Sequence, residues 1–170
     1  GARPVLKAGG LTRYDGSDDN LLTTFNPTAA VTLALKLKAP AAGQGVKVFM
    51  GATHPGAHCY LGMANSGALG AGLGLNALGL VTDNINRSGQ TGVLVATADA
   101  VSNVLYWNGV QIYAGAASGS PAGATPIRLG ARNNGGTADL FAAIDTEKAL
   151  AINRALTPAE VLKLTNAWSH

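Results

Sequence analysis

An Asn-Gly pair between two alternating apolar segments constrains the fold of this chain more than any other feature. The pair, Asn108-Gly109, stands in the middle of the stretch NVLYWNGVQIY, residues 103–113. Asn and Gly tolerate the positive φ angles of a two-residue type I′ turn, so the stretch predicts a β-hairpin. A hairpin with one apolar face is stable only when a second layer covers that face. We therefore expect the rest of the chain to supply another sheet.

The register of this hairpin assigns its side chains to two faces. Trp107 would pair with Val110 across the turn. The next pair on the same face would be Leu105 with Ile112, and all four side chains are expected to face the core. The opposite face carries a candidate binding surface for a sugar ring or a partner, although such residues more often only cover a sheet. This surface consists of Tyr106, Gln111 and Tyr113.

The other segments predict short strands and one terminal helix. Residues 31–38 alternate Val and Leu with Thr, Ala and Lys, which is typical of a strand with one solvent-exposed face. Residues 81–89 (VTDNINRSG) are expected to form a polar loop. Residues 157–160 (TPAE) combine a cap, a proline at the first helical position and a capping box, which predicts a helix that runs to about Ser169.

Many short strands without a βαβ rhythm predict an all-β fold. We expect a two-sheet antiparallel jelly-roll sandwich with one short C-terminal helix, and a single domain over residues 1–170. The predicted core consists of Val31, Leu33, Leu35, Val48, Val95, Leu105, Trp107, Ile112, Leu129 and Trp168.

Composition argues against several classes of function. Charged residues are 12% of the chain, the formal net charge is +3, and the Lys and Arg residues are scattered, which disfavours nucleic acid as a partner. No apolar segment approaches the roughly 18 residues of a membrane span, and the N terminus lacks the pattern of a signal peptide, so we expect no membrane partner. A surface with few charges favours contacts between subunits. We therefore expect a homo-oligomer or an assembly with other proteins.

Several segments resemble a known family. LYWNG (105–109), IRLGARNNGG (127–136), residues 141–145 and INRALTPAEV (152–161) are similar to the second half of laminin-G-like domains of the concanavalin A-like lectin/glucanase superfamily. The opening RPVLKAGGLTRYDGSDDNL (3–21) is similar to the start of such domains in bacteriophage virion proteins. The resemblance implies a jelly-roll fold and a role in adhesion or glycan recognition, or a structural place in a phage tail or capsid.

The resemblance also suggests where a catalytic centre would lie. Glucanases of this superfamily carry Glu, Asp and Glu at alternate positions of one strand, and a retaining pair of carboxyl groups must sit about 5 Å apart. Asp145 and Glu147 would share a face of an extended strand, but the upstream acidic position holds Ala143. Half of the motif does not supply an acid and a nucleophile, so we expect no catalytic residues and no enzymatic activity.

Two groups of side chains have metal-ligating chemistry. Asp15, Asp18 and Asp19 could supply oxygen ligands to calcium, although their spacing differs from that of an EF-hand loop and is also ordinary turn chemistry. Residues 54–59 (HPGAHC) place two His and one Cys close in sequence, but a tetrahedral zinc site would need further ligands from elsewhere. We expect no other cofactor.

Two functions from different classes fit these observations. The first is a non-enzymatic structural or adhesion module of a bacteriophage virion, as a capsid decoration, tail or fibre component that contacts other virion proteins. The alternative is a carbohydrate-binding, lectin-like module for a host-surface or polysaccharide glycan. An aromatic content of only 5% favours the first function, because sugar sites often use aromatic platforms. The expected location is the virion, or otherwise the extracellular space or a cell surface.

Overall fold

The structure is a computed structural model that describes residues 4–7, 10–54, 57–74, 81–117 and 119–169. Its elements, in chain order, are β1 (Val5–Leu6), β2 (Thr12–Asp15), β3 (Leu21–Leu22), β4 (Val31–Lys38), β5 (Lys47–His54), β6 (Ala57–Met63), β7 (Ala68–Gly74), β8 (Val81–Asn86), β9 (Thr91–Ala98), β10 (Ser102–Trp107), β11 (Val110–Ala116), β12 (Arg128–Leu129), β13 (Arg132–Asn134), β14 (Thr137–Asp139), β15 (Ala143–Ile152) and α1 (Pro158–Trp168).

The strands form two sheets that pack face to face. The first sheet has the order β1-β2-β15-β4-β9-β10-β11. The second sheet has the order β14-β13-β5-β6-β7-β8, and β12 joins it by pairing with β3 and β5. Among the described residues, all pairs of hydrogen-bonded strands are antiparallel except the pair of β13 with β5, which is parallel. The predicted all-β sandwich of two antiparallel sheets with one short C-terminal helix is confirmed.

An apolar layer fills the space between the sheets. Alternate residues of β4 point into it, and they meet side chains such as Phe49 and Leu61 from the second sheet. Full burial of an aliphatic or Phe side chain contributes about 1.5–3 kcal/mol. Five residues of the predicted core lie in this layer: Val31, Leu33, Leu35, Leu105 and Trp107. Two more, Ile112 and Leu129, are partly buried against it, and Val48 is buried. The last two, Val95 and Trp168, belong to a second cluster beneath the helix.

The C-terminal helix begins where the sequence predicts. Thr157 Oγ1 accepts the N–H of Glu160 at 3.3 Å, and the N–H of Thr157 donates to Glu160 Oε2 at 2.8 Å. The capping box is therefore complete, with Pro158 in the first turn. No helix among the described residues is long and apolar enough to cross a membrane.

The helix covers the outer face of the first sheet. Ala34 of β4 is fully buried, and it belongs to an apolar cluster with Val95, Tyr106 and the helix residue Val161. The prediction that residues 31–38 expose one face to solvent is therefore wrong for this part of β4. Small and polar residues at alternate positions indicate that a face does not line the layer between the sheets, but they do not show whether water or a helix covers that face.

A buried hydroxyl connects β4 to the segment that leads into α1. Thr32 is fully buried, and its Oγ1 donates to the carbonyl of Arg154 at 2.8 Å. The same oxygen accepts the N–H of Leu156 at 3.0 Å. One side chain thus satisfies two backbone groups that no strand or helix partner reaches.

The central hairpin is present with one change of register. Asn108 and Gly109 have φ angles of 52° and 78°, so the two positive φ angles predicted for the turn are confirmed. Farther from the turn a β-bulge pairs Leu105 with Tyr113. The predicted pair of Leu105 with Ile112 is wrong, because the bulge adds one residue to β11 and the apolar alternation carries no sign of it.

The stretch predicted as a polar loop is partly a strand. Residues 81–86 form β8, which lies at an edge of the second sheet and pairs with β7 through Val81 and Ala71. Its polar, half-exposed side chains resemble those of a loop, because an edge strand needs little apolar surface. The prediction of a polar loop over residues 81–89 is therefore wrong for residues 81–86. The turn predicted near position 76 lies outside the described residues.

Candidate functional site

An open cleft lies at one end of the first sheet, where β2 pairs with the beginning of β15 and β4 ends. Its volume is about 710 Å³. Four charged side chains line it: Arg13, Asp15, Lys38 and Asp145. The remaining lining residues are Tyr14, Ile144 and the small residues Ala39, Pro40, Ala41, Ser88, Gly89 and Ala143. The cleft therefore combines a charged wall with small residues that leave space for a ligand.

A bidentate ion pair forms the centre of the charged wall. Arg13 of β2 and Asp145 of β15 are cross-strand partners. The Nε of Arg13 donates to Oδ1 of Asp145 at 2.7 Å, and Nη2 donates to Oδ2 at 2.6 Å. These hydrogen bonds hold the pKa of Asp145 below its ordinary value, with smaller contributions from the charges of Lys7 and Lys38. Both side chains are thus ionised and held in one orientation at neutral pH.

Strand pairing places a second cation beside the same carboxylate. Asp145 pairs with Arg13 on one neighbouring strand and with Lys38 on the other. The arrangement exists because β15 lies between β2 and β4 in the first sheet. Sequence reasoning missed both cations, since neither stands in a motif and their closeness depends on pairing between distant strands.

The two carboxylates considered for glucanase chemistry each have a cationic partner. Glu147 lies 2.6 Å from the Nζ of Lys36, and Asp145 binds Arg13. Glu147 also occupies a β-bulge, so β15 does not continue its regular pairing with β4 through this residue. Two carboxylates two residues apart share a face only on a regular strand.

The acidic loop after β2 borders the cleft through Asp15. One oxygen from each of Asp15, Asp18 and Asp19 lies within 4.8 Å of the other two. Asp15 Oδ1 accepts the N–H of Ser17 at 2.8 Å, and this is the main cause that holds the pKa of Asp15 below its ordinary value. The structure thus brings together the three residues predicted as calcium candidates.

Asp19 differs from the other two carboxylates because it is buried. Only 4% of the residue is exposed. Its Oδ2 accepts the N–H of Asp15 at 3.2 Å, while its Oδ1 is buried without a hydrogen-bond partner among the described residues. The burial of Tyr14, together with the nearby charge of Asp19, raises the pKa of the Tyr14 hydroxyl to about 12.

A glycine positions this loop against the start of β15. Gly16 has a φ of +82°, a conformation that other residues rarely adopt. A Cβ at this position would lie 2.8 Å from the backbone nitrogen of Ala143. The close approach brings the acidic loop next to β15, and therefore next to the ion pair of the cleft.

His58 and Cys59 do not form a metal site together. They are neighbours on β6, so their side chains leave the strand on opposite faces. Cys59 is completely buried in the layer between the sheets, and this burial raises the pKa of its thiol. Burial also lowers the pKa of His58, with a smaller effect from the charge of Arg132. The side chain of His54 and residues 55–56 lie outside the part of the chain that the structure describes.

The three hairpin residues predicted as a binding surface are not brought together on an exposed face. Tyr106 is only 3% exposed, because it belongs to the cluster beneath α1. Gln111 is exposed, whereas Tyr113 packs against the layer between the sheets. Tyr106 is buried because α1 packs on the outer face of β10. Tyr113 faces the layer between the sheets because the bulge pairs it with Leu105 and so reverses the side-chain alternation of β11.

Comparison with known proteins agrees with this architecture. A laminin G family model described as concanavalin A-like lectin/glucanases superfamily matches residues 15–162. The chain belongs to this superfamily. The match begins in the acidic loop beside the cleft and ends within α1, so it spans both sheets. A search of curated proteins finds no match.

Solved structures with a similar fold include sialidases, of which the chain matches a part, and a CBM40 of a sialidase. The CBM40 of a Ruminococcus gnavus sialidase, solved with α2,3-sialyllactose, has a TM-score of 0.65 at 17% identity, over 82% of this chain and 84% of that one. Trypanosoma rangeli sialidase has a TM-score of 0.70 at 14% identity, over 94% of this chain and 28% of that one. The heptameric SAP-like pentraxin of Limulus polyphemus has a TM-score of 0.63 at 16% identity, over 81% and 70%.

The chain corresponds to only a part of the sialidases that it matches. The chain spans about a quarter of the sialidases from Streptococcus pneumoniae and Trypanosoma rangeli that it matches. At such low identity the likeness shows a shared fold, and a fold alone does not establish an activity.

Proposed function

We propose that this chain is a carbohydrate-binding module without catalytic activity, and that the cleft beside the Arg13–Asp145 pair is its glycan site. The observation that carries this proposal is an oriented ion pair, with Lys38 beside it, in an open cleft of a lectin-type sandwich. Superfamily membership supports the alternative function predicted from the sequence more than it supports the virion function. The CBM40 match, which covers most of both chains, supports it further.

The chemistry of the cleft suits sugar hydroxyl groups. A hydroxyl group is both donor and acceptor, so adjacent hydroxyls bind well where a carboxylate and a cation stand side by side. Asp145 has acceptor capacity beyond the two bonds from Arg13, and Arg13 has further N–H donors. The pair is already held in place by its own hydrogen bonds, so ligand binding orders fewer side-chain rotamers.

The same ion pair supports binding rather than hydrolysis. A glycosidase acid must be protonated near neutral pH, which requires a raised pKa. Arg13 instead lowers the pKa of Asp145, so this carboxylate stays ionised. Glu147 is paired with Lys36 and does not complete an acid–nucleophile pair on a regular strand.

The experiment is a glycan array followed by calorimetric titration with the oligosaccharides that bind. We expect Lys38→Ala and Asp145→Asn to weaken binding by about tenfold or more, since each removes one charge-assisted contact. Lys163→Ala on α1 is the matched control, because Lys163 does not line the cleft. No binding to any glycan, or equal binding by all three variants, would overturn the proposal.

Subunit assembly is a second candidate function, favoured by the edge of the first sheet. The edge strand β11 has the sequence VQIYAGA without a charged residue. At the hairpin tip Val110 is 66% exposed, and Leu162 of α1, near Gly109, is 50% exposed. An uncharged edge strand is a template for pairing with another strand. We propose a second copy of the chain as its partner, and a virion or cell-surface assembly remains the predicted setting.

Light scattering during size-exclusion chromatography tests this second candidate. We expect an oligomer that Val110→Lys converts to monomer, because a charge at the edge opposes pairing. Leu21→Lys, at an apolar position on β3 that is 52% exposed, should leave the mass unchanged. A monomeric wild-type chain at all concentrations would rule out self-assembly through β11.

A further inference from the structure

We propose that protonation of one buried histidine opens an edge of the second sheet. The histidine is His58 of β6, and the edge is the hairpin of β13 and β14, residues 132–139. The hairpin is closed while the imidazole is neutral, and it opens when acid charges the ring. This device belongs to the second sheet, whereas the cleft proposed to bind glycans lies at one end of the first sheet, so the two proposals are independent.

The surroundings of His58 suit a neutral imidazole. Only 9% of the residue is exposed, and its Nδ1 is buried without a hydrogen-bond partner among the described residues. The ring packs edge-on against Tyr60, with 6.1 Å between the ring centroids and 87° between the ring planes. A protonated imidazole carries two N–H donors, so protonation would leave the N–H at Nδ1 without an acceptor in a buried place.

A glycine brings a cation close to this ring. Gly51 of β5 pairs with Arg132 on one side and with Tyr60 on the other. Because no side chain stands between them, the charge of Arg132 acts on both Tyr60 and His58. Burial, together with this charge, holds the pKa of His58 below its ordinary value. A positive charge on His58 would therefore lose its hydration and repel the guanidinium of Arg132.

The remaining neighbours of His58 do not compensate a charge. The residues that pair with it on β5 and β7 are the uncharged Thr53 and Gly74. The titratable group beside it on β6 is Tyr60, which supplies no negative charge at neutral or acidic pH. The nearest carboxylate of the hairpin, Asp139 of β14, is already bound to Arg132. Charging His58 would set two cations against this one carboxylate.

The same carboxylate holds the hairpin together and links it to the strand beside His58. Arg132 Nε donates to Asp139 Oδ1 at 2.7 Å, and Asn134 Nδ2 donates to Asp139 Oδ2 at 3.1 Å. Thr53, the β5 partner of His58, donates through Oγ1 to Asn134 Oδ1 at 3.2 Å. A change of charge at His58 therefore acts directly on the contacts that keep the hairpin in place.

The hairpin is the element that can leave with the smallest loss of structure. Its two strands have three residues each and form the edge of the second sheet. The strands on either side of β6, by contrast, are β5 and β7, which lie inside the sheet and have eight and seven residues. Opening the hairpin takes Arg132 away from His58 and lets water reach the charged ring.

The direction of the pKa shift sets the pH window. A hydrated histidine has a pKa of about 6.5, and in the closed hairpin the pKa of His58 is lower. The closed state therefore has its full stability above about pH 6.5 and loses it as the pH falls from there through the lower pKa of the closed state. The open population grows by up to about tenfold for each unit that separates the two pKa values.

NMR on the full chain tests the proposal through the ring of His58 and through the amides of the hairpin. We expect His58 to titrate at a lower pH than it does in the urea-unfolded chain. We also expect the exchange protection factors of residues 132–139 to fall between about pH 7.5 and about pH 5, a range in which an ordinary histidine titrates. Residues 91–98 of β9, in the first sheet, should keep their protection.

Two variants and a matched control identify the group responsible. His58→Gln keeps a neutral polar side chain at every pH, so its hairpin should keep the same protection at both pH values. If this variant does not fold, Arg132→Gln gives a second test, because removing the cation should raise the pH at which His58 titrates. Lys47→Gln is the control: it also removes a positive charge from the second sheet, but Lys47 pairs with Met63 at the far end of β6, and His58 should titrate as in the wild type.

Three results would overturn the proposal. The first is a His58 that titrates at the same pH as in the unfolded chain, or higher. The second is hairpin protection that stays constant with pH, or that falls equally in His58→Gln. The third is a loss of protection that extends equally to β9, since acid would then unfold the whole chain instead of one edge.

Discussion

Replacing Thr32 with valine removes a hydroxyl that connects the first sheet to the segment before α1. In the wild type this hydroxyl donates to the carbonyl of Arg154 and accepts the N–H of Leu156, at a fully buried position. Valine has a similar shape, so the change mainly deletes the two hydrogen bonds. The Leu156 N–H is left unsatisfied in a buried place.

The expected loss of stability follows from these two contacts. An unsatisfied buried N–H costs about 1–3 kcal/mol, and the loss of the second, less buried bond adds about 0.5–1.5 kcal/mol. The new methyl group offsets about 0.8 kcal/mol. The net loss is about 0.7–3.7 kcal/mol, which corresponds to a fall in Tm of about 1–15 °C, since 1 kcal/mol shifts the Tm of a domain of this size by about 2–4 °C.

Two measurements test this prediction together. Denaturant unfolding gives the free energy of unfolding, and amide hydrogen exchange reports on the Leu156 N–H itself. Thr32→Ser is the control: it keeps the hydroxyl and should keep the Leu156 amide protected, although it loses a methyl group. The reasoning is refuted if Thr32→Val unfolds with the wild-type free energy and its Leu156 amide exchanges as slowly as before.

Two further predictions concern the acidic loop and a buried ion pair. Gly16→Ala should lower the Tm more than Gly43→Ala, because both have positive φ but only the first places a Cβ 2.8 Å from the backbone of Ala143; equal thermal shifts would contradict this contact. Hydrogen bonds from Arg87 lower the pKa of Asp83 in the folded state. The ion pair therefore stabilises the fold at pH values above the unfolded pKa of about 3.9. This stabilisation is lost as the pH falls through the lower pKa of the folded state. The destabilisation caused by Asp83→Asn, measured by urea unfolding, should therefore shrink between pH 7 and about pH 3, and an unchanged penalty would contradict the assignment.

Local sequence chemistry predicts the parts of this fold that short segments determine. The positive φ angles of Asn108 and Gly109 follow from their residue types, and the helix start follows from the cap at Thr157. Such features need only neighbouring residues, so the hairpin turn and the terminal helix could be predicted. The two-sheet sandwich could be predicted because many short strands occur without a βαβ rhythm.

Other features depend on contacts between distant segments. The bulge that moves Tyr113 opposite Leu105 leaves the apolar alternation of the hairpin intact. The helix converts the outer face of β4 into a second buried cluster, and Tyr106 is buried with it. The hairpin sequence alone therefore does not reveal that Tyr106 is buried and unavailable for binding.

The candidate site likewise contains some residues that the sequence identifies and others that only strand pairing brings together. The acidic loop could be named in advance because its three Asp residues lie within a stretch of five residues. Arg13 and Asp145, in contrast, are 132 positions apart and meet only because β2 and β15 are paired. A pair of this kind requires knowledge of strand order, which sequence alternation does not contain.

Chemical-shift mapping by NMR tests the proposed glycan site most directly, and the 17.0 kDa chain is small enough for amide spectra. The isotopically labelled chain would be titrated with the tightest-binding oligosaccharide from the array. We predict that the largest changes occur at residues 13–15, 38–41 and 143–145, which line the cleft. Changes concentrated on the outer face of the second sheet or along β11, with none around Asp145, would contradict the proposed site.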